Sequence, residues 1–315
     1  MQLPSHELKQ IIKIGTRESQ LAVWQATLVK SLLKENGLES ELIFIKSQGD
    51  IDTVTPLYEL GVQGIFTKAL DAALLNKNID IAVHSLKDVP TKLANGIRQA
   101  AVLKRASFKD IFVYKNDRSF LDDKWSNAVI ATSSTRRIAQ WLHRYPNHSV
   151  ENLRGNVNTR LRKIDEHEWH GAIFAAAGLE RIGLRPENSV DLDWMLPAPA
   201  QGAITIVCRM DDDFSLNACT SLNDPTTALC TKIERDFLRA LLGGCSTPIS
   251  ALASVEDGTF VFKGNVCSPD GSKLIAIEKV CSIEDGKDLG KSAGAEFLKN
   301  EEAQQIIYNI RNAEK

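Results

Sequence analysis

The chain lacks the features that would place it in a membrane, in an oxidising compartment or on a nucleic acid. Its start, MQLPSHELKQIIKIG, contains no long apolar run of the secretory kind. No stretch approaches the roughly 20 apolar residues that cross a bilayer. The six cysteines (Cys208, Cys219, Cys230, Cys245, Cys267 and Cys281) form no C-x-x-C pair and have no histidine at ligand spacing, so no metal site is expected. Without an export signal the expectation is a cytoplasmic protein with reduced thiols. The formal net charge is only −2, too balanced for a chain whose main task is to hold nucleic acid. That modest charge, with no obvious exposed apolar patch, favours a monomer.

What is present is an ordinary globular composition, 43% hydrophobic and 25% charged. A length of 315 residues exceeds what one core usually organises. Short apolar runs alternate with amphipathic stretches, which predicts α/β architecture. IIKIG (11–15), ELIFI (41–45) and DIAVHS (80–85) read as strands, and IFTKALDAALL (65–75) as a helix. Leu21, Trp24, Leu28 and Leu32 fall on one face of a helix between the first two strands. The order repeats architecturally from about residue 110 through DIFVY, AVIAT, SVENL and GAIFAAA, with Ile138, Trp141, Leu142 and Tyr145 on a second helical face. PAPAQG (197–202) interrupts the pattern as a crossing segment or hinge. Asp224 and Pro225 suit the cap and first position of a long helix whose buried face is Ile233, Phe237, Leu238 and Leu241. Gly243-Gly244 would end it. PISALAS, TFVFKGNV and KLIAIEKV then read as strands, followed by two helices. The expected units are an α/β lobe from 1–105 and 203–224, a second α/β lobe from 106–202, and a small α+β domain from 225–315.

Chemistry concentrates in 131–163, which holds Arg136, Arg137, Arg144, Arg154, Arg160, Arg162 and Lys163 against one acid, Glu151. Two pieces share a design: Thr132-Ser133-Ser134 and Arg154-Gly155-Asn156 each follow a strand and open a helix carrying arginines. A helix start offers unpaired N–H groups and positive potential to an anion, and arginine matches a carboxylate bidentately. The pattern fits a small molecule with several carboxylates or phosphates. A solvated basic face with ordinary caps also fits it, and so, less well, does a nucleic-acid surface, since aromatics for stacking are sparse. Thr16-Arg17-Glu18-Ser19 repeats the arrangement in the first lobe. Asp88, in HSLKDVP (84–90), follows a buried strand where open α/β sheets place ligands. Among cations it would stay ionised, stabilise a developing positive charge and shuttle a proton, although a turn aspartate before Val-Pro is the commoner reading. Cys245 stands between Gly243-Gly244 and Ser246-Thr247-Pro248, on a loop rather than in a core, whereas most free cysteines are buried and inert.

Taken in order, TRESQLA (16–22), VHSLKDVPT (83–91), TSSTRR (132–137), LRGNVNTRL (153–161), AAAGLERIG (175–183), PAQGAI (199–204) and LLGGCSTPI (241–249) resemble the hydroxymethylbilane synthase (porphobilinogen deaminase) family over nearly the whole chain. The resemblance implies two periplasmic-binding-protein-like lobes and a small C-terminal domain. It implies a transferase of porphyrin biosynthesis that joins four porphobilinogens head to tail, each losing ammonia, and hydrolyses off the product. Its cofactor would be a dipyrromethane bonded by a thioether to Cys245, with Asp88 catalytic. Ser85, Lys87, Thr132, Ser133, Arg136, Arg137, Arg154 and Gly155 match residues that hold the cofactor. Arg17, Ser19, Gln25, Arg154, Arg160, Gln201 and Gly202 match residues that bind substrate or line the cleft. In PLYELGVQGIF (56–66), which resembles the family's lid loop, Glu59 and Gln63 stand where many members carry lysines, and Ala131 stands where glycine is common. Two other readings share these features. A non-catalytic two-lobed binding protein would form no covalent adduct, and a basic nucleic-acid module would bind with steep salt dependence.

Overall fold

The computed structural model describes residues 11–47, 67–241 and 247–313. The first lobe contributes β1 (Ile12–Thr16), α1 (Gln20–Glu35), β2 (Ser40–Phe44), α2 (Lys68–Leu75), β3 (Ile81–Ser85), a 3-10 turn (Leu86–Asp88) and β4 (Ile97–Val102). The second contributes β5 (Asp110–Tyr114), β6 (Val129–Ala131), α3 (Thr135–Arg144), β7 (Ser149–Glu151), α4 (Val157–Glu166), β8 (Gly171–Ala175), α5 (Ala176–Glu180) and β9 (Ser189–Asp191). The chain then returns to the first lobe with β10 (Ile204–Arg209) and α6 (Asp213–Thr220). It ends in α7 (Pro225–Ala240), β11 (Ile249–Glu256), β12 (Thr259–Cys267), β13 (Leu274–Ser282), α8 (Leu289–Phe297) and α9 (Glu301–Ala313).

The two lobes are built alike. The first sheet runs β2-β1-β3-β10-β4 and the second β7-β6-β8-β5-β9. Four strands of each point the same way, and the strand fed by a crossing segment, β10 or β5, inserts antiparallel in fourth place. Strand β3 is apolar without alternation because both its faces are covered. Ile81 and Val83 pack with Ile12, Ile14, Ala26, Val29 and Leu33 on one side, and Ala82 packs with Leu70, Leu74 and Ile79 on the other. The C-terminal domain lays α7, α8 and α9 over an antiparallel β11-β12-β13 sheet around Ile233, Phe237, Phe260 and Phe262. Helix α7 starts as its sequence predicts, with Asp224 Oδ1 accepting from the Thr227 N–H at 2.7 Å and Pro225 in the first turn.

Helix α5 opens inside the run GAIFAAA, which reads as a strand, and three further elements were not foreseen. Strand β4 has Arg98 and Gln99 inside it, β9 is three residues long, and α6 has no strong apolar face. The α1 face is also shifted. Its buried residues are Gln25, Ala26, Val29 and Leu33, while Trp24, Leu28 and Leu32 pack half-buried at the flank. The helix α7 ends at Ala240 with Leu241 as its cap, and the Gly243-Gly244 pair expected to stop it lies outside the described residues.

The lobes are joined by two crossing segments, 103–109 and 197–203. Gly202 has φ +87°, and a Cβ there would lie 2.5 Å from the Ser107 carbonyl oxygen, so only glycine allows the two chains to cross. Beside it, Ala200 is held at φ +65° while its N–H donates to Glu234 Oε2 at 2.6 Å. Glu234 is fully buried in α7, forks with Arg105 at 2.6 and 3.1 Å, and accepts from the Ala253 N–H. One carboxylate therefore ties the C-terminal domain to both crossing segments.

Candidate active site

Four strand ends converge on the gap between the lobes. Past β1 lie Arg17 and Ser19, the latter at the N-cap of α1 without a side-chain capping bond. Past β3 lie Ser85, Lys87 and Asp88. Gln25, buried in α1, donates from Nε2 to Ser85 Oγ at 2.9 Å, tying these two ends together. His84 is pushed down to about 4 by burial and by the charge of Arg17, which places that cation beside β3.

In the second lobe, the loops after β6 and β7 are fastened to each other by Ser133. Its hydroxyl donates to the Leu153 carbonyl at 2.5 Å and accepts from the Leu153 N–H at 3.0 Å. Thr132 Oγ1 accepts from the Ser134 N–H at 3.3 Å. Asn156 caps α4 through the Thr159 N–H at 3.0 Å. Gly155, at φ +110°, turns the chain so tightly that a Cβ would meet Thr159 at 2.8 Å.

The arginines divide into two groups. Arg136 and Arg137 are buried on α3 and share Asp110, the first residue of β5, with no exposure at all. Arg136 Nη2 reaches Asp110 Oδ2 at 2.7 Å, and Arg137 reaches Oδ1 through Nε and Nη2 at 3.0 and 2.7 Å. Burial alone would raise the Asp110 carboxyl; Arg136, Arg137 and Lys87 hold it instead at about 2. Arg160 is different. Burial and then the like charges of Arg137 and Arg154 lower it to about 10, with Asp88 acting the other way. Lys87 is lowered by burial to about 8, against Asp88 and Asp110. Lys87 and Arg160 thus both feel the charge of Asp88, with Arg154 close to Arg160 and Arg17 close to His84.

Gln201 is buried and spans the lobes. Its Oε1 accepts from Lys87 Nζ at 3.2 Å, and its Nε2 donates to the Phe108 carbonyl and to Asp110 Oδ1 at 2.8 and 3.0 Å. Gly202 presents its carbonyl to Arg181 Nη2 at 2.7 Å. Cys245, Glu59 and Gln63 lie outside the described residues.

Asp110 and Arg181 escaped the sequence reading. Asp110 could have been found by asking what neutralises two adjacent arginines at the start of a helix that offers them no acid. Arg181 was signalled only by the segment AAAGLERIG; it sits over Trp24 of the first lobe, 5.9 Å from the ring.

The set fits a carboxylate-rich group. The Arg136 Nε is buried with no hydrogen-bond partner, a donor that the protein itself leaves over. Among the described residues no group of three or more His, Cys, Asp or Glu side chains could hold a metal ion.

Two family models match the chain: porphobilinogen deaminase, dipyromethane cofactor binding domain, over residues 12–217, and porphobilinogen deaminase, C-terminal domain, over 228–299. The chain is 42% identical over 300 residues to the chloroplastic porphobilinogen deaminase of Pisum sativum, covering 91% of this chain and 81% of that one. Among solved structures it is similar to a nutrient-binding protein from Burkholderia cenocepacia bound to methionine (15% identity, TM-score 0.42, 69% of this chain and 93% of that one). It is also similar to the methionine-binding protein MetQ (15%, TM-score 0.42, 67% and 89%).

Proposed function

The chain belongs to the porphobilinogen deaminase family, and we propose that Asp88, ringed by cations at the meeting of the two lobes, is the group through which it catalyses the hydroxymethylbilane synthase reaction. The enzyme is a transferase with a dipyrromethane cofactor. It joins four porphobilinogens head to tail with loss of ammonia and releases the linear tetrapyrrole by hydrolysis. The observation that carries the Asp88 assignment is electrostatic: Lys87 and Arg160 both feel its carboxylate in a site otherwise dominated by positive charge.

Bound at Cys245 through a thioether, the dipyrromethane supplies the pyrrole carbon to which substrate units are added. Ser85, Lys87, Thr132, Ser133, Arg136, Arg137, Arg154 and Gly155 would hold its carboxylates, with α3 and α4 presenting N–H groups at their first turns. Arg17, Ser19, Gln25, Arg154 and Arg160 would orient the acetate and propionate groups of porphobilinogen, which raises the effective concentration of the reacting carbons. Gln201 and Gly202 serve the same site by fixing how the lobes meet.

As ammonia leaves porphobilinogen, positive charge develops on its pyrrole ring. The Asp88 carboxylate would stabilise that charge, the kind of preorganised electrostatics that is usually the largest catalytic contribution. It would then accept the proton released from the pyrrole α-carbon that forms the new bond. Replacing Asp88 with Asn keeps the shape and removes the charge. We expect Asp88→Asn to fold and to lose about 100–1000-fold in kcat, read by steady-state assay beside circular dichroism. Parental turnover would remove Asp88 from the mechanism.

We read the protein further as a cytoplasmic monomer that takes porphobilinogen and neither nucleic acid nor membrane, with lobes at 1–105 plus 203–224 and 106–202 and a third domain at 225–315. The net charge of −2 and the free thiols of Cys208, Cys219, Cys230, Cys267 and Cys281 support this. No described helix is long and apolar enough to cross a membrane.

A further inference from the structure

We infer that Arg235, on α7 of the C-terminal domain, is a positioning residue for the reaction, acting through the turn that carries Asp88. The inference rests on the reading of Asp88 as the catalytic carboxylate. That turn is short and poorly able to hold itself. After β3 it is a single 3-10 turn, closed by the Val89 N–H on the Leu86 carbonyl at 3.2 Å. The next residue, Pro90, has no N–H to give. The Val89 and Pro90 carbonyls lie beyond the turn's own bonds, and the Leu86 carbonyl keeps a second lone pair beside the Val89 N–H, so all three can take donors from elsewhere.

Arg235 supplies them. Its Nη1 donates to the Leu86 and Val89 carbonyls at 3.2 and 2.8 Å, and its Nη2 donates to the Pro90 carbonyl at 2.6 Å. One turn further along α7, Arg239 Nη2 donates to the Thr91 carbonyl. On its other side the turn is held by the Leu86 N–H on the Ala203 carbonyl at 2.9 Å. Beneath it, Leu86 and Val89 pack on Ala200, Ala203 and Ala228, the last from α7 itself. A planar guanidinium reaches three carbonyls in one fixed fork, whereas a lysine offers a point charge on a flexible stem. Loss of the fork frees the carbonyls around Asp88 without touching the arginines assigned to carboxylate binding.

The test uses the full-length holoenzyme, with cofactor loading checked by intact mass and folding by thermal melting. A displacement of about 1 Å at a reacting group can cost ~100-fold, and Arg235→Gln should lower kcat by about that factor while KM for porphobilinogen stays near the parent's. Arg235→Lys should recover part of the loss. Placed in an Asp88→Glu background, Arg235→Gln should cost far less than in the parent, because groups acting as one unit are not additive. Parental kcat in Arg235→Gln, or an equal loss in both backgrounds, would overturn the inference. Should Arg235→Gln fold poorly, Arg235→Lys decides alone: a kcat loss at parental KM supports the inference and parental kcat sinks it. A fully active Asp88→Glu together with a fully active Asp88→Asn would instead remove the reading of Asp88 on which it rests.

Discussion

The two basic corners of the second lobe share one local design, a strand end, a small polar turn and a helix bearing arginines, yet they differ in what answers their charge. At residues 132–137 the arginines point inward and are matched by Asp110 within 3.0 Å. At 154–160 the guanidinium of Arg160 faces the like charges of Arg137 and Arg154, with Asp88 acting the other way. The first corner is largely neutralised by the fold itself, so its arginines would meet the cofactor's carboxylates from fixed positions. The second is left with excess positive charge, which a ligand's carboxylates would relieve. The same sequence signature thus yields an internally braced contact in one place and a more highly charged docking point in the other. Gln201 connects the scaffold across the lobes to Lys87.

If this contrast is right, the two corners should fail differently. The largest effect is expected from Asp110→Ala, which strands two buried guanidiniums. Breaking a buried ion pair from one side costs about 3–5 kcal/mol, and chemical denaturation should read a loss in that range together with loss of activity. Arg160→Leu should do the reverse. It removes repulsion, so stability should hold, while KM for porphobilinogen rises by about 10–100-fold, the worth of a charged hydrogen bond. Equal stability losses in the two variants would erase the distinction. The smallest effect concerns the caps: Asn156 accepts from Thr159, whereas Ser134 makes no side-chain capping bond. Asn156→Ala should therefore cost about 1 kcal/mol, and Ser134→Ala close to nothing, by the shift in urea midpoint.

Much of this was legible because strong local signals and tertiary packing agreed. The strands IIKIG and DIAVHS, the capped start at Asp224-Pro225 and the apolar stripe Ile233, Phe237, Leu238 and Leu241 all formed as their sequences predict. The strand ends that carry Arg17, Asp88 and Arg154 were placed by the same logic. What stayed hidden was polar and long-range. The buried face of α3 includes Arg136, Arg137 and Gln140, which no apolar periodicity signals. Their partner Asp110 lies 26 and 27 residues away in sequence. Glu234 sits in an otherwise apolar stripe because Arg105 and two backbone N–H groups, all far away in the chain, satisfy it. Arg235 is similar: its partners Leu86, Val89 and Pro90 are about 150 residues distant, and only the tertiary fold brings them together.

The central claim is covalent, a dipyrromethane carried on Cys245 and extended by substrate. Intact-mass measurement of the purified chain beside Cys245→Ala, before and after adding porphobilinogen, tests it most directly. The account predicts that the parent carries, or acquires on adding porphobilinogen, the mass of a dipyrromethane, then gains further increments of one pyrrole unit, while the variant stays at its polypeptide mass. A parent that gains nothing, or a variant that gains the same adduct, would contradict it.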